Sequence, residues 1–216
     1  MMLRTMIAYN MGLKYGSHCY LDSNVFIDKD YHKNFIKELN EKIDKKIPEY
    51  KKHLMVKHHY KNYSDELPIY KAIELLTFGQ TSKLFKNLKE EDKNEIINKF
   101  KRKEHKLKSE NFTSWLITLT EIRNICAYHD ILWNRRFEIK FLKNKDWKDL
   151  ICFITKEGKQ VYSIFGVLLI FKTILLDEEI YNSCIVSLLE LINTNAEIIS
   201  KNKIGFPENW ETILSR

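Results

Sequence analysis

The sequence predicts an all-α protein. Glycine and proline, which most often interrupt helices, number only six and three among 216 residues. Apolar residues recur at three- and four-residue steps along much of the chain, which is the spacing of one helix face. The hydrophobic fraction of 44% is ample for a buried core. Because neither an internal repeat nor a Pro-, Gly- or Ser-rich linker divides the sequence, we expect one domain spanning residues 1–216.

The first half of the chain contains five predicted helices. The fifth is rich in charge, and we expect it to be exposed although it includes Ile96, Ile97 and Phe100. In the second, an apolar stripe is formed by Phe35, Ile36, Leu39 and Ile43. The five run from Leu3 to Tyr20, from Asp30 as the N-cap to Lys45, from Pro48 in a first turn towards Tyr63, from Pro68 to Gly79, and from Glu91 to Lys106.

The second half is also predicted to be helical. Ser109 is the expected N-cap of a helix from Asn111 to Ala127, and further helices are predicted at 146–155, 159–176, 178–195 and 207–214. Asp177 or the pair Glu178–Glu179 favours the N-terminus of the helix at 178–195. The side chains of the Asn111 helix that should face the core are Phe112, Trp115, Leu116, Leu119, Ile122 and Cys126.

Residues 161–176 form an almost continuous apolar run that invites comparison with a membrane span. The run is 16 residues long and contains Lys172, whereas a bilayer needs roughly 20 apolar residues. We therefore expect a buried core helix and no contact with a membrane.

Charge and cysteine content limit the classes of function. The formal net charge of +7 is typical of proteins with an acidic partner such as nucleic acid, but lysine is abundant here together with isoleucine and asparagine, a bias that an AT-rich genome imposes on all its proteins. The four cysteines, at 19, 126, 152 and 184, show no metal-binding spacing and follow no signal peptide, so we expect free thiols in a cytoplasmic protein. The sequence predicts neither a metal site nor a cofactor.

One segment combines side chains suited to phosphate chemistry, the run from Glu121 to Asp130. Within it, Arg123 supplies a permanently charged fork for phosphate, Asn124 a polar amide and His129 a group that can transfer protons near neutral pH. On a continuous helix Arg123 and His129 would point roughly 240° apart, so one face cannot present both. Either the helix ends near Ala127 and His129 turns back, or the same motif of a second subunit completes the site across a two-fold axis.

The order Arg-Asn-x-x-Ala-x-His-x-x-x-Trp-Asn-Arg resembles the signature of abortive-infection proteins of the AbiD/AbiF type, which belong to the HEPN superfamily of helical ribonucleases. Further segments resemble the same family in the same order, so that the resemblance runs from about Ile7 to the C-terminus. These segments are His58-His59-Tyr60 with Tyr63, Leu67-Pro68-Ile69-Tyr70, Glu74-Leu75-Leu76-Thr77-Phe78-Gly79 and Gly205-Phe206-Pro207-Glu208-Asn209-Trp210.

The resemblance implies a HEPN-like helical bundle with additional helices. Two features depart from the family pattern. From the resemblance we expect the chain to start partway into the pattern, after the usual N-terminal helical segment. Tyr70 stands where tryptophan is common, and Tyr128 where a second histidine often precedes the catalytic one, which reduces a double-histidine site to His129 alone.

The chemistry that the resemblance implies is metal-independent endoribonuclease cleavage by 2′-hydroxyl transesterification, in bacterial defence against phage. His129 is the predicted general base, with the partner subunit's His129 protonating the leaving 5′-oxygen. Arg123 would neutralise charge on the phosphoryl oxygens, and Asn124 would hydrogen-bond either the phosphate or a neighbouring backbone group and so fix Arg123. The expected products are a 2′,3′-cyclic phosphate and a 5′-hydroxyl, and the expected assembly is a homodimer.

Other basic residues are candidates for binding RNA rather than cleaving it. Arg135 and Arg136 follow the motif closely, and His58–His59, directly after Lys57, could form a second polar wall of the cleft. Glu74 is either a solvated side chain or a partner that orients Arg123. The densest basic run includes Lys101, Arg102 and Lys103, and it is either a solvated helix end or an RNA contact whose affinity falls steeply with salt.

Two alternatives to the ribonuclease stay open. One is a non-catalytic RNA-binding defence module that recognises a structured regulatory RNA. The other is a toxin-like subunit silenced by a regulatory small RNA or an antitoxin protein.

Overall fold

Helices dominate the structure, a computed structural model that describes residues 2–43, 53–63, 66–100, 107–132, 135–137, 152–154, 160–175 and 177–215. The all-α prediction is confirmed. The chain divides into two compact units, Met1–Ile96 and Ile97–Arg216. One domain over the whole chain stays a prediction.

The N-terminal unit is built around α1, which packs against α4 and α5. Short 3-10 helices at Cys19–Leu21, Ser23–Val25 and Ile73–Leu75 link the longer elements. The unit buries apolar side chains such as Ile7, Met11 and Phe85. The helices that begin in this unit are α1 Met2–Tyr15, α2 Lys29–Ile43, α3 Leu54–Asn62, α4 Ile69–Ala72, α5 Phe78–Lys86 and α6 Glu90–Asn98.

Two predicted boundaries in the first helices were wrong. The first helix was expected to reach Tyr20 but ends at Tyr15, because Gly16 adopts the left-handed conformation (φ 90°) that commonly terminates a helix. Asp30 was expected to cap α2, but the carboxylate that accepts the N–H of Tyr31 belongs to Asp28, at 2.8 Å. Asp30 lies in the first turn instead. The predicted helix start at Pro48 lies outside the described residues.

Gly79 was predicted to end a helix that begins at Pro68, and this was also wrong. The chain becomes extended at Leu76, and α5 begins at Phe78 with Gly79 inside it. The reason is a capping box, in which Thr77 Oγ1 accepts the N–H of Gln80 at 3.2 Å and Gln80 Oε1 accepts the N–H of Thr77 at 2.9 Å.

The charged helix α6 is less exposed than predicted. Ile96 and Ile97 are buried, as are Asp92 and Lys93. Asp92 can be buried because its carboxylate accepts a hydrogen bond from Lys14 Nζ at 2.7 Å, an ion pair that also raises the pKa of Lys14. Residues 101–106, the end of the predicted helix, lie outside the described residues.

The C-terminal unit contains the long helix α7, Ser109–Ala127. Ser109, the predicted N-cap, is the first helical residue of α7, and the N-cap is Lys108. The Lys108 side chain makes no capping hydrogen bond. The predicted core residues from Phe112 to Ile122 are buried, but Cys126 is exposed, because Ile125 takes the inward position in the last turn.

A short antiparallel hairpin replaces part of two predicted helices. Its strands are β1 Cys152–Ile154 and β2 Gln160–Tyr162, with Phe153 opposite Val161. The helices predicted at 146–155 and 159–176 were therefore wrong at these residues. The sequence reason is that aromatic and β-branched residues are concentrated in both strands and favour a pleated backbone.

The rest of the unit agrees better with prediction. The apolar run forms α8, Ile164–Ile174, a helix that buries Phe165 and Ile170 and packs against both α7 and α10. Among the described residues, no helix combines the length and the apolar character that a bilayer crossing requires. Helix α9, Glu178–Thr194, is capped as expected by Asp177, which accepts the N–H of Ile180 at 3.0 Å. A 3-10 helix at Lys201–Ile204 and α10, Trp210–Leu214, complete the described chain.

Candidate functional site

The last turn of α7 places Arg123 and Asn124 side by side on the protein surface. Both side chains are exposed, and Arg123 Nη1 donates a hydrogen bond to Asn124 Oδ1 at 3.1 Å. The helix is held from its opposite face by Trp115, Ile122 and other buried side chains. The guanidinium group is therefore oriented by its neighbour and open to a ligand from solvent.

The backbone at His129 shows where the helix that carries the motif ends, which was one of the points left open by the spacing of Arg123 and His129. Helix α7 ends at Ala127, and His129 has a φ of 55°, in the left-handed region. Two hydrogen bonds close the end, from His129 N to Cys126 O at 3.3 Å and from Asp130 N to Ile125 O at 3.0 Å. This pair of bonds is a Schellman motif, in which the left-handed residue is usually glycine.

A histidine in this position is costly. A side chain with a Cβ atom pays roughly 1–2 kcal/mol in the left-handed conformation. Non-glycine residues in such conformations persist where surrounding structure holds them, and they cluster at functional sites. Along the described chain, His129 is the one residue other than glycine with positive φ. The sequence motif and the backbone strain thus coincide at the same exposed histidine.

Arg135 is engaged within the loop that follows the motif. Its Nη2 atom donates to the carboxylate of Asp130, and its Nε donates to the carbonyl of Ile131 at 2.7 Å. The neighbouring Arg136 is exposed, and its Nη1 lies 3.4 Å from the carbonyl of Arg135. Sequence reasoning had missed Asp130, for which the only signal was a carboxylate five residues before an arginine.

Two of the other predicted substrate-binding residues belong to the N-terminal unit. Lys57 and His58 are on α3, in the N-terminal unit, and His58 is exposed with its carbonyl accepting Asn62 Nδ2 at 2.7 Å. The adjacent His59 is buried and stacks on Tyr63, so it is a packing residue. The basic run of Lys101, Arg102 and Lys103 lies outside the described residues. Glu74 is exposed on the 3-10 helix Ile73–Leu75 of the N-terminal unit.

The site contains aromatic and aliphatic side chains as well as polar ones. Tyr128 is 80% exposed, Ile131 70% and Ile117, earlier on α7, 51%. Large apolar side chains exposed around a polar motif are typical of a surface that binds another protein chain or a ligand. Within the described ranges, His, Cys, Asp and Glu side chains form no group of three or more that could hold a metal ion.

Comparison with known proteins supports the family. The sequence model of the family described as Abi-like protein matches residues 1–134, more than half of the chain and including the motif from Arg123 to His129. The chain belongs to this Abi-like protein family. No curated protein and no solved structure matches the chain. The resemblance at Gly205–Trp210 lies beyond the matched residues and stays a prediction. Membership in the family indicates a role in abortive infection, the defence of bacteria against phage.

Proposed function

We propose that this protein is a metal-independent endoribonuclease of the HEPN type that cleaves RNA during abortive infection. The proposal depends on one observation above all, the left-handed backbone of His129 directly after a helix that presents the Arg123–Asn124 pair. Strain at an exposed histidine is hard to explain by folding alone, because glycine would serve the same helix end better. A catalytic role gives a reason for keeping the imidazole there.

Each motif residue has a distinct role in the proposed reaction. His129 accepts the proton of the 2′-hydroxyl, whose oxygen then attacks the adjacent phosphorus. The bond to the 5′-oxygen breaks, and that oxygen receives a proton from the partner subunit's His129. The products are a 2′,3′-cyclic phosphate and a 5′-hydroxyl, so no water and no metal ion enters this step. Arg123, oriented by Asn124, stabilises the charge that builds on the non-bridging oxygens.

A second subunit is part of the proposal, and the surface around the motif supports it. Ile117, Tyr128 and Ile131 are large, exposed and close in sequence to the Arg–Asn pair and His129. A two-fold contact through this surface would remove apolar area from water and bring two copies of the motif together. The partner subunit would then supply the acid that one chain lacks.

The dimer is tested with Ile117→Glu, compared with Val186→Glu as a matched control. The two side chains are similarly exposed, at 51% and 53%, and both lie on helices of the C-terminal unit. We expect light scattering to give a dimer for the native chain and the control and a monomer for Ile117→Glu. Dimers in all three proteins would contradict the proposed surface.

The chemistry is tested with a short RNA and the same RNA with one 2′-deoxy nucleotide at the mapped cleavage position. We expect cleavage only when the 2′-hydroxyl is present, and a loss of at least 100-fold in the rate for Arg123→Ala and for His129→Ala. Cleavage of the 2′-deoxy substrate would exclude transesterification. Tight RNA binding without cleavage, unchanged by His129→Ala, would favour the RNA-binding defence module instead.

A further inference from the structure

The loop after His129 is closed by its own side chains. Asp130 follows the strained histidine, and its backbone N–H makes the shorter of the two Schellman bonds, to Ile125 O at 3.0 Å. Its carboxylate accepts the N–H of Ile131 at 2.7 Å through one oxygen and the guanidinium of Arg135 through the other. Arg135 Nε then reaches the carbonyl of Ile131 at 2.7 Å. We call Asp130, Ile131 and Arg135 the post-motif bracket.

This geometry uses two nitrogens of the planar arginine fork, Nε and Nη2. One nitrogen of Arg135 binds the carboxylate of Asp130, five residues earlier in the chain. Another binds the backbone carbonyl of Ile131, four residues earlier. A lysine could supply the charge but not both directed bonds. The Nε and Nη2 edge of the guanidinium is therefore bonded within its own loop, which weighs against the phosphate-binding role that its place in the sequence suggests.

We propose that Arg135 is a positioning residue for His129 rather than a ligand of RNA. It acts through Asp130, the residue that bonds back to α7 and fixes the turn at the strained position. Arg135 also neutralises a carboxylate that would otherwise repel a phosphate arriving beside Arg123 and His129. The inference rests on the proposed function and assigns Asp130 and Arg135 to the same site.

Exposure indicates that the bracket acts locally. The side chains of Arg135 and Asp130 are 40% and 53% exposed, and exposed ion pairs stabilise a fold only weakly. Variants of either residue should therefore fold normally. A change of even 1 Å in the place of a reacting group can cost about 100-fold in rate, so the effect should be on catalysis.

The test compares Asp130→Asn, Arg135→Gln and the double variant in cleavage and in RNA binding at several salt concentrations. We expect both single variants to lower kcat by about tenfold or more, with little change in KM or in the salt dependence of binding. The double variant should be no slower than the slower single variant, because both changes open the same bracket. Arg135→Lys should recover part of the lost rate.

Arg136→Gln is the matched control, since Arg136 is the adjacent exposed arginine and a candidate phosphate ligand. We expect it to raise KM and to reduce the salt slope of RNA binding by about one. The same pattern in Arg135→Gln, together with tighter RNA binding by Asp130→Asn, would overturn the inference. In that case Asp130 would merely restrain an arginine that binds RNA.

A second readout does not need catalysis and separates the inference from the proposed function. The ring resonances of His129 can be assigned in the NMR spectrum by their loss in His129→Asn. We expect them to move or broaden in both Asp130→Asn and Arg135→Gln but to stay in place in Arg136→Gln. Resonances that stay native-like in both bracket variants would overturn the inference, whether or not the native protein cleaves RNA. Absence of cleavage by the native protein would count against the proposed function alone.

Discussion

At the scale of single residues, the end of α7 is where local stability and proposed function conflict. His129 adopts the backbone conformation that glycine adopts most easily. Its neighbours offset this cost through the two Schellman bonds and the post-motif bracket. A site built in this way presents an imidazole at a fixed place just beyond a helix, which a histidine within a helical turn could not do.

The conflict predicts opposite effects of one substitution on stability and on activity. His129→Gly should be more stable than His129→Ala by about 1 kcal/mol in the free energy of unfolding, because glycine lacks the Cβ atom that strains this conformation. Urea unfolding should therefore show a higher midpoint for the glycine variant. Both variants should lose RNA cleavage. His129→Asn should lie between them in stability, since asparagine tolerates the left-handed region better than alanine. An alanine variant as stable as the glycine variant would show that the backbone at this residue is not strained.

Some of the residue-scale geometry could be predicted from the sequence and some could not. Asn124 was expected to bond either the phosphate or a neighbouring backbone group that fixes Arg123, and the structure instead joins the two side chains directly. The bond of Arg135 to Asp130 could not be foreseen, because an arginine beyond a motif can reach either a ligand or its own loop. The choice depends on the direction of the chain after a left-handed residue, which the residue types alone do not specify.

At the scale of elements, caps decided where the helices begin and end. Helix α5 is the clearest case, since the capping box of Thr77 and Gln80 starts a helix that continues through Gly79, which was predicted to end one. Gln80 also accepts a hydrogen bond from Lys42 Nζ at 2.7 Å and donates to Glu38 at 2.7 Å. The start of α5 is thereby tied to α2, so a local capping signal also fixes how two helices pack.

Two substitutions at Thr77 separate the contribution of the capping hydroxyl from that of the methyl group. Thr77→Ala should lower the free energy of unfolding by about 1 kcal/mol, because the N–H of Gln80 loses its acceptor. Thr77→Ser keeps the acceptor and should lose only a few tenths of a kcal/mol. Urea unfolding of the three proteins measures both differences. Equal losses for alanine and serine would mean that the threonine methyl group, and not the cap, stabilises this turn.

Element prediction failed where two signals competed within a short run. Residues 152–154 and 160–162 were predicted to be helical, and the second segment overlaps the apolar run 161–176 that was interpreted as a buried core helix. Their β-branched and aromatic side chains favour a strand, and pairing between the two segments decided in favour of the hairpin. Pairing depends on a partner elsewhere in the chain, so periodicity within one segment cannot reveal it. By contrast, α9 was predicted well because Asp177 caps it locally.

At the scale of the whole molecule, the N-terminal unit should be sensitive to alkaline pH. Burial raises the pKa of the Cys19 thiol from 9.0 to about 11 and that of Tyr31 from 10.0 to about 12, and it raises the pKa of Tyr20 further. Above the ordinary pKa values the unfolded chain loses protons that the folded chain still holds. The free energy of unfolding therefore falls as pH rises through this range, from about 9 towards 12.

Tyr31→Phe should reduce this loss of stability, because phenylalanine has no proton to release. Urea unfolding at pH 8, 10 and 11 should show a shallower decline for Tyr31→Phe than for the native chain. Tyr70→Phe is the control, since Tyr70 is 57% exposed in the same unit, and its profile should follow that of the native chain. A decline that is identical in all three proteins would assign the alkaline sensitivity to other groups.

At the scale of the whole molecule, the family assignment and the structure contribute different information about function. The match to the Abi-like family extends over residues 1–134 and so ends just beyond the motif. Within that range the structure adds the strained His129 and the oriented Arg123, both on the surface. Family membership indicates phage defence, while the proposed chemistry comes from these side chains and their resemblance to a HEPN signature.

The most direct test of the central claim is the end chemistry of RNA exposed to the purified protein in EDTA, beside its His129→Ala variant. We predict that the native protein cuts total bacterial RNA without divalent metal and leaves 2′,3′-cyclic phosphate and 5′-hydroxyl ends, while the variant leaves the RNA intact. Fragments with 5′-phosphate ends, or equal cleavage by both proteins, would contradict the account. Cleavage that appears only when magnesium is added would contradict it equally.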